Sequence, residues 1–224
     1  MLRASLMRDA DTLERDAEGA IRARGTRLRV YLIRHGETEW SLSGRHTGRT
    51  DIRLTAHGED EARDLAPWLQ AIPFARVLTS PRQRARRTSE LAGLGSAAET
   101  EPDLAEWDYG DYEGQHSPDI CRARPGWNIF RDGCPGGETP AQVAGRADRL
   151  IAHLRDLHEN VALFSHGQFA CVLAARWIGV PVLDGQHFAV GTASLNILGY
   201  ARNHPEVPVI DLWNAVPAML SPHA

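Results

Sequence analysis

Residues 28–38 read LRVYLIRHGET, and this stretch decides the fold. Leu28, Val30, Tyr31, Leu32 and Ile33 form a run of large apolar side chains, the composition of a buried strand. The run ends on Arg34, His35 and Gly36, a charge, a titratable ring and a glycine, where a strand gives way to a loop spanning roughly 35–54. Downstream the pattern repeats. Residues 74–79, FARVLT, predict a second strand, and residues 161–165, VALFS, a third. Asp60 to Gln70 reads as a helix with Ala62, Leu65, Trp68 and Leu69 on one side. Ser80-Pro81-Arg82-Gln83 predicts a capping box opening the next helix, with Ser80 as the cap and Pro81 at the first helical position. Thr139-Pro140-Ala141-Gln142 repeats the device. The helix it opens carries Val143, Ala147, Leu150, Leu154 and Leu157 on one stripe. Another apolar helix follows His166-Gly167 and runs to about Ile178. Later strands are expected at Ser194–Tyr200 and Val207–Trp213. Strands alternating with helices predict an α/β fold, three-layer αβα, with a largely parallel central sheet. In such a sheet the site lies beyond the carboxyl ends of the strands.

The remainder of the chain fits around that core. Residues 1–27 carry six Arg and five acidic residues without an apolar run, which argues against a signal or transit peptide. They are expected to be an N-terminal extension, flexible or helical. Residues 28–216 are expected to form a single domain and 217–224 a tail. Residues 101–138 hold six glycines and five aromatic side chains with little periodicity. An irregular segment of that length in a compact domain is expected to be a functional cover.

The chain has 224 residues and 25 basic ones, every one an arginine. Coding bias accounts for the missing lysine, but the chemical consequence stands either way. Phosphate-loop and Schiff-base lysine chemistries are excluded. What remains is a planar fork of donors suited to phosphate and carboxylate. A net charge of −4 gives no reason to expect nucleic acid as a partner. No run approaches 18 apolar residues, so no membrane partner is expected. Cys121, Cys134 and Cys171 form no CxxC pair and are odd in number, which predicts a cytoplasmic, reducing compartment and no structural zinc.

Two histidines and two arginines fall at predicted strand ends or in the helix turns that follow: Arg34 and His35, Arg84, and His166. Phosphoryl transfer uses such groups. Arginine forks neutralise nonbridging oxygens, and an imidazole nitrogen can attack phosphorus. The helix N-terminus after Gly167 offers N–H groups to an anion. Singly, each signal is weak. Arg84, in a run with Arg82, Arg86 and Arg87, reads alone as a solvated helix face.

The order of the motifs resembles the histidine phosphatase superfamily in its phosphoglycerate-mutase-like branch. The resemblance rests on Arg34-His35-Gly36-Glu37-Thr38-Glu39-Trp40, on Gly44-Arg45-His46-Thr47-Gly48, and on Thr79-Ser80-Pro81-Arg82-Gln83-Arg84. It continues through residues 104–114 (LAEWDYGDYEG), Gly137-Glu138-Thr139 and Phe164-Ser165-His166-Gly167. It implies a phosphoglycerate-mutase-like fold and a metal-independent phosphomonoesterase without cofactor. His35 would be the nucleophile, phosphorylated transiently. Arg34, Arg84 and His166 would hold the phosphate oxygens, and Glu106 would be general acid and then base. Ser41, Arg45, Thr47, Gly48, Tyr109, Trp127, Arg131, Gly167 and Gln168 would contact phosphate or substrate. Glu113 is expected to serve loop hydrogen bonding. The eight other histidines, His46 among them, carry no matched role and read mostly as surface residues. Trp40 and Trp127 read equally as core plugs or pocket walls.

Departures from the family pattern refine the reading. Ser41 stands where the family often has asparagine, and its hydroxyl would give one hydrogen bond to phosphate. Gln168 stands where mutases tend to have asparagine. Mutases resemble one another in using a lysine for substrate, and this chain has none. Residues 106–114 with Trp127 to Cys134 resemble the acid phosphatases and sedoheptulose-1,7-bisphosphatase-like enzymes. There Arg131 would hold a distal anion. The expected partners are a small phosphorylated substrate, sugar phosphates foremost, and inorganic phosphate; a homo-oligomer is compatible with the sequence. The alternatives are a cofactor-dependent phosphoglycerate mutase, or a non-catalytic phospho-ligand binding protein of the same fold.

Overall fold

The computed structural model describes residues 28–217 and the backbones of residues 13–15 and 21–23. In chain order the elements are β1 (Leu13–Arg15), β2 (Ile21–Ala23), β3 (Val30–Arg34), α1 (Glu39–Ser43), α2 (Ala56–Asp64), α3 (Ala66–Leu69), β4 (Arg76–Thr79) and α4 (Gln83–Leu91). They continue with β5 (Ala98–Thr100), α5 (Ser117–Ala123), α6 (Ile129–Asp132), α7 (Pro140–Arg155), β6 (Val161–Ser165), α8 (Gly167–Trp177), β7 (Leu195–Tyr200) and β8 (Pro208–Ala215). β1 and β2 pair antiparallel with Glu14 opposite Arg22. Those six residues are extended where a frayed or helical extension is expected, in keeping with the lack of any 3.6-residue apolar period there. The other expectations for 1–27, and those for 218–224, lie outside the described residues.

Six strands form the main sheet in the order β5-β4-β6-β3-β7-β8. β5, β4, β6 and β3 are mutually parallel. β7 and β8 run antiparallel to their neighbours. The sheet is therefore mostly parallel, as expected, with an antiparallel edge made by the last two strands. Both faces are covered. Val30 and Leu32 of β3 and Leu163 of β6 join one core with Val143 and Leu150 of α7 and Phe169 and Leu173 of α8. Tyr31, Ile33, Ala162 and Phe164 point the other way, into a core with Leu69 of α3 and Ala85 of α4. A two-residue period with apolar side chains on both faces is why these strands read as continuous apolar runs. Each fully buried Leu or Ile contributes roughly 1.5–3 kcal/mol relative to exposure.

Three local readings are corrected. The helix expected from Asp60 to Gln70 starts earlier, because Thr55 caps it by accepting from Gly58 N–H. It also breaks at Leu65, ahead of Pro67 in the first turn of α3, since Pro has no N–H to continue the ladder. The segment taken as loop from 35 to 54 contains α1, closed by a capping box between Thr38 and Ser41. The capping box expected at Ser80 does not form: α4 begins at Gln83, and Gln83 N–H donates to Asp51 Oδ1 at 2.8 Å. The second box forms as read, with Thr139 and Gln142 bonding reciprocally ahead of α7.

Candidate active site

Parallel β3, β4 and β6 end on one side of the sheet, and their last residues converge. His35 is pinned by its backbone: its N–H donates to Ser165 O at 3.0 Å, and its carbonyl accepts from Ala193 N–H at 3.1 Å. The next residue is fixed by close packing. A Cβ on Gly36 would lie 2.2 Å from Gly58 O, and one on Gly58 would lie 2.1 Å from Glu37 O. Gly36 N–H donates to Thr88 Oγ1 at 3.0 Å. The His35 ring is buried, with Nδ1 2.7 Å from Gly36 O. A carbonyl oxygen only accepts, so Nδ1 carries the hydrogen and Nε2 keeps a lone pair. Burial, then the charges of Arg84 and Arg34, hold the His35 pKa well below its ordinary value, so the ring is neutral.

A cavity of about 310 Å³ opens in front of His35. Arg34, Ser41, Arg45, Thr47, Glu106, Tyr109, Gly167 and Gln168, all candidates from the sequence, are among the residues that line it. Arg34 Nη1 donates to Val190 O at 2.5 Å, while its buried Nε has no protein partner. Ser41 Oγ is already engaged, donating to Thr38 O at 2.9 Å and accepting from Thr38 N–H at 2.8 Å. Its oxygen completes the capping box of α1 and its single proton is given to Thr38 O, so a hydrogen bond to phosphate, as the sequence suggested, would have to displace that carbonyl.

Arg84 and His166 do not line this cavity; they form the buried layer beside His35. The His35 and His166 rings stand 5.2 Å apart between centroids. Arg84 Nε donates to His166 Nδ1 at 3.2 Å, and its two Nη groups reach the carbonyls of Thr47, Gly48 and Thr50. Burial without a carboxylate partner pushes the Arg84 pKa down to about 10, which still leaves it charged near neutrality. Arginine only donates, so His166 Nδ1 is an acceptor and the neutral ring carries its hydrogen on Nε2. That hydrogen faces Ser80 Oγ at 2.7 Å. Ser80 Oγ thus serves His166 and accepts also from Arg82 N–H at 3.3 Å, ahead of the helix that starts at Gln83.

Glu106 is 9% exposed and stands against the start of α8. Its Oε1 accepts from the N–H groups of Trp107 and Phe169, both at 2.8 Å, and its Oε2 from Gln168 N–H at 3.0 Å. The helix N-terminus after Gly167 therefore holds a protein carboxylate, and not the external anion that the sequence suggested. Oε2 has one lone pair left for a proton. Burial raises the Glu106 pKa, and the three N–H donors and Arg84 only partly offset it.

The segment carrying Glu106 is clamped from α7. Arg146 Nη1 donates to the carbonyls of Asp103 and Ala105 at 2.7 and 2.9 Å, and Nη2 reaches Glu106 O at 3.4 Å. Glu138 holds Arg146 Nε and Nη2 and accepts from Asp108 N–H at 2.9 Å. The sequence flagged Glu138 only as part of the Gly137-Glu138-Thr139 motif and Arg146 not at all. Sequence reasoning also missed Gly58, betrayed only by a glycine placed in a first helical turn, where it is unfavourable.

Gly48, Trp127 and Arg131 do not line the main cavity. Gly48 N–H donates to both Glu113 oxygens, and a Cβ there would meet Trp107 O at 2.5 Å. Its role is close packing, with Glu113 serving the loop as expected. Trp127 is buried, and its Nε1 donates to Gly133 O at 2.9 Å. Arg131 pairs with Asp132 and Gly126 O on the outside, so it is misplaced for a distal anion. His46 is the opposite correction: it is no surface residue but a wall of the cavity, stacked 4.5 Å from the Tyr109 ring.

Comparison with known proteins gives a consistent result. The family model described as histidine phosphatase superfamily (branch 1) matches residues 30–215. An acid phosphatase of Mycobacterium tuberculosis is 41% identical over 188 residues, covering 82% of this chain and 92% of the relative. Sedoheptulose 1,7-bisphosphatase of Saccharomyces cerevisiae is 36% identical over 248 residues, with the same coverage of 82% and 92%. A solved structure of a Mycobacterium tuberculosis open reading frame superposes with a TM-score of 0.79 at 38% identity, covering 84% of this chain and 98% of that one.

Proposed function

This chain belongs to branch 1 of the histidine phosphatase superfamily, and on that premise we propose that it hydrolyses small phosphate monoesters, sugar phosphates foremost, through a phosphohistidine at His35. The observation that carries this reading is the His35 Nδ1–Gly36 O bond, which leaves Nε2 as a bare nucleophile in a neutral, buried ring. In the first step Nε2 forms a bond to phosphorus while the P–O ester bond breaks. Protonated Glu106 gives its proton to the departing alkoxide. In the second step the Glu106 carboxylate takes a proton from water, the water oxygen attacks phosphorus, and the N–P bond breaks. Inorganic phosphate leaves, and the enzyme returns to its starting state. Both steps need Glu106 to exchange a proton near working pH, and its raised pKa favours this.

Arg34, whose Nε has no protein partner, would meet the nonbridging oxygens as charge redistributes; Arg84 and His166, held by loop carbonyls and Ser80 in the layer beside His35, would reach them by exchanging those partners for phosphate. The scheme uses no metal. Among the described residues no group of three or more His, Cys, Asp or Glu side chains could hold one. Mutase activity ranks second because the chain has no lysine for a substrate carboxylate or second phosphate.

The direct test is hydrolysis of p-nitrophenyl phosphate in EDTA. Wild-type protein is expected to turn over, and His35→Ala to lose on the order of 10³-fold or more in kcat. No turnover by wild type contradicts the enzyme reading; turnover abolished by EDTA contradicts the metal-free scheme. Transfer to 3-phosphoglycerate outpacing transfer to water would favour the mutase.

A further inference from the structure

A second chamber of about 240 Å³ lies beside the first, and His46, Ser117 and Gln168 border both. The two chambers adjoin at these residues, and His35 borders the first. The far walls come from the cover segment and the turn before β7: Trp127, Asn128, Phe130 and Gln186. No Arg, Asp or Glu borders the second chamber. His46 adds no charge either, because burial pushes its pKa down to about 4. What the walls offer is neutral hydrogen-bonding capacity beside aromatic surface. Asn128 Nδ2 donates to Gln186 Oε1 at 2.7 Å, and Gln186 Nε2 lies 3.5 Å from His187 Nε2. Ser117 Oγ lies 3.0 Å from His46 Nε2. The Gln168 carboxamide, at the junction, has no protein partner among the described residues.

We propose that this second chamber receives the neutral polyhydroxyl end of the substrate, so that the enzyme selects sugar monophosphates over sugar bisphosphates. The proposal rests on the phosphatase reading above and deepens it. Carboxamides and hydroxyls both donate and accept, which matches sugar hydroxyls, and aromatic faces cover the C–H surface of a ring. A second phosphate placed here would lose hydration and gain no cation, because the one exposed arginine at the site, Arg45, borders only the first chamber. Arg131, the sequence candidate for a distal anion, is bound to Asp132 outside it.

Gln186 is exposed and lies outside the phosphate site, so substitutions there test the chamber without touching the chemistry. The measurement is kcat/KM for glycerol 3-phosphate, a hexose 6-phosphate and a hexose bisphosphate. Wild type is expected to favour the hexose monophosphate over the bisphosphate. Gln186→Trp, which adds bulk at the chamber wall, is expected to lower kcat/KM for the hexose monophosphate roughly tenfold and to leave glycerol 3-phosphate within about twofold. Gln186→Arg is expected to raise the bisphosphate-to-monophosphate ratio by roughly tenfold. A wild-type preference for bisphosphate, or equal losses on short and long substrates in Gln186→Trp, would overturn the proposal. Failure of the phosphatase reading is separately visible, as absence of wild-type turnover on glycerol 3-phosphate and p-nitrophenyl phosphate alike.

Discussion

At the scale of single residues, the site depends on where one imidazole nitrogen points. Gly36 sets that direction twice, through its carbonyl to His35 Nδ1 and through its contact with Gly58. Gly58→Ala forces backbone atoms apart, and overpacking of this kind costs about 1–3 kcal/mol. For a chain of this length that predicts a fall in Tm of roughly 2–12 °C by calorimetry. A concurrent loss of kcat is expected because the displaced backbone carries His35; an unchanged Tm would show that the contact relaxes freely. The proton inventory gives a second expectation. Alkyl phosphate hydrolysis needs neutral His35 and protonated Glu106. The His35 pKa lies well below its ordinary value and that of Glu106 lies above its own. kcat/KM should therefore fall as pH drops through the His35 value and fall again as pH rises through the Glu106 value. With p-nitrophenyl phosphate, whose leaving group needs little protonation, the basic limb should flatten. Identical basic limbs for the two substrates would contradict Glu106 as the acid.

At the scale of elements, helix starts do the positioning, and here the sequence misleads in an instructive way. Ser80 has the spacing of a cap, yet its hydroxyl faces His166. The α8 N-terminus has the features of an anion site, yet its amides hold Glu106. Local spacing shows which groups are available but not which long-range partner takes them. The Arg146–Glu138 clamp is invisible for the same reason, since its partners are carbonyls some forty residues away. Removing it with Arg146→Met should displace Glu106 and act on proton transfer. The expected result is a loss of roughly tenfold or more in kcat for an alkyl phosphate, with a smaller effect on the burst of p-nitrophenol in stopped flow. Equal losses in both would mean that Arg146 supports only the fold.

At the scale of the whole molecule, the positions of the central strands and their parallel character were readable because buried parallel strands must be apolar on both faces, and VYLIR and VALFS are. The antiparallel direction of β7 and β8 was not, because strand direction leaves no mark on apolar composition. The site residues at strand ends were legible through topology: parallel strands bring His35, Arg84 and His166 together whatever the loops do. The cover segment was legible as irregular, but its individual contacts, such as Arg131 facing outward, were not. Burying neutral imidazoles also gives the whole fold a pH dependence. His35, His166 and His46 all have folded pKa values below 6.5. Their contribution to stability is fully present above pH 6.5 and is lost as pH falls through their folded values, since the unfolded chain binds protons first. Glu106 acts oppositely, its contribution being lost as pH rises through its raised value. Thermal melts should show Tm declining from pH 7 towards pH 4, with a shallower decline in His46→Asn; parallel curves for the two proteins would contradict this.

The central claim is that His35 Nε2 carries the phosphoryl group. Wild-type protein mixed with ³²P-labelled phosphate monoester and quenched within milliseconds in alkali should retain label on the peptide containing His35. The label should be acid-labile and of the Nε2-phosphohistidine isomer, and His35→Ala should retain none. Label on Nδ1, label on another residue, or turnover by wild type with no labelled protein at any quench time would contradict the account.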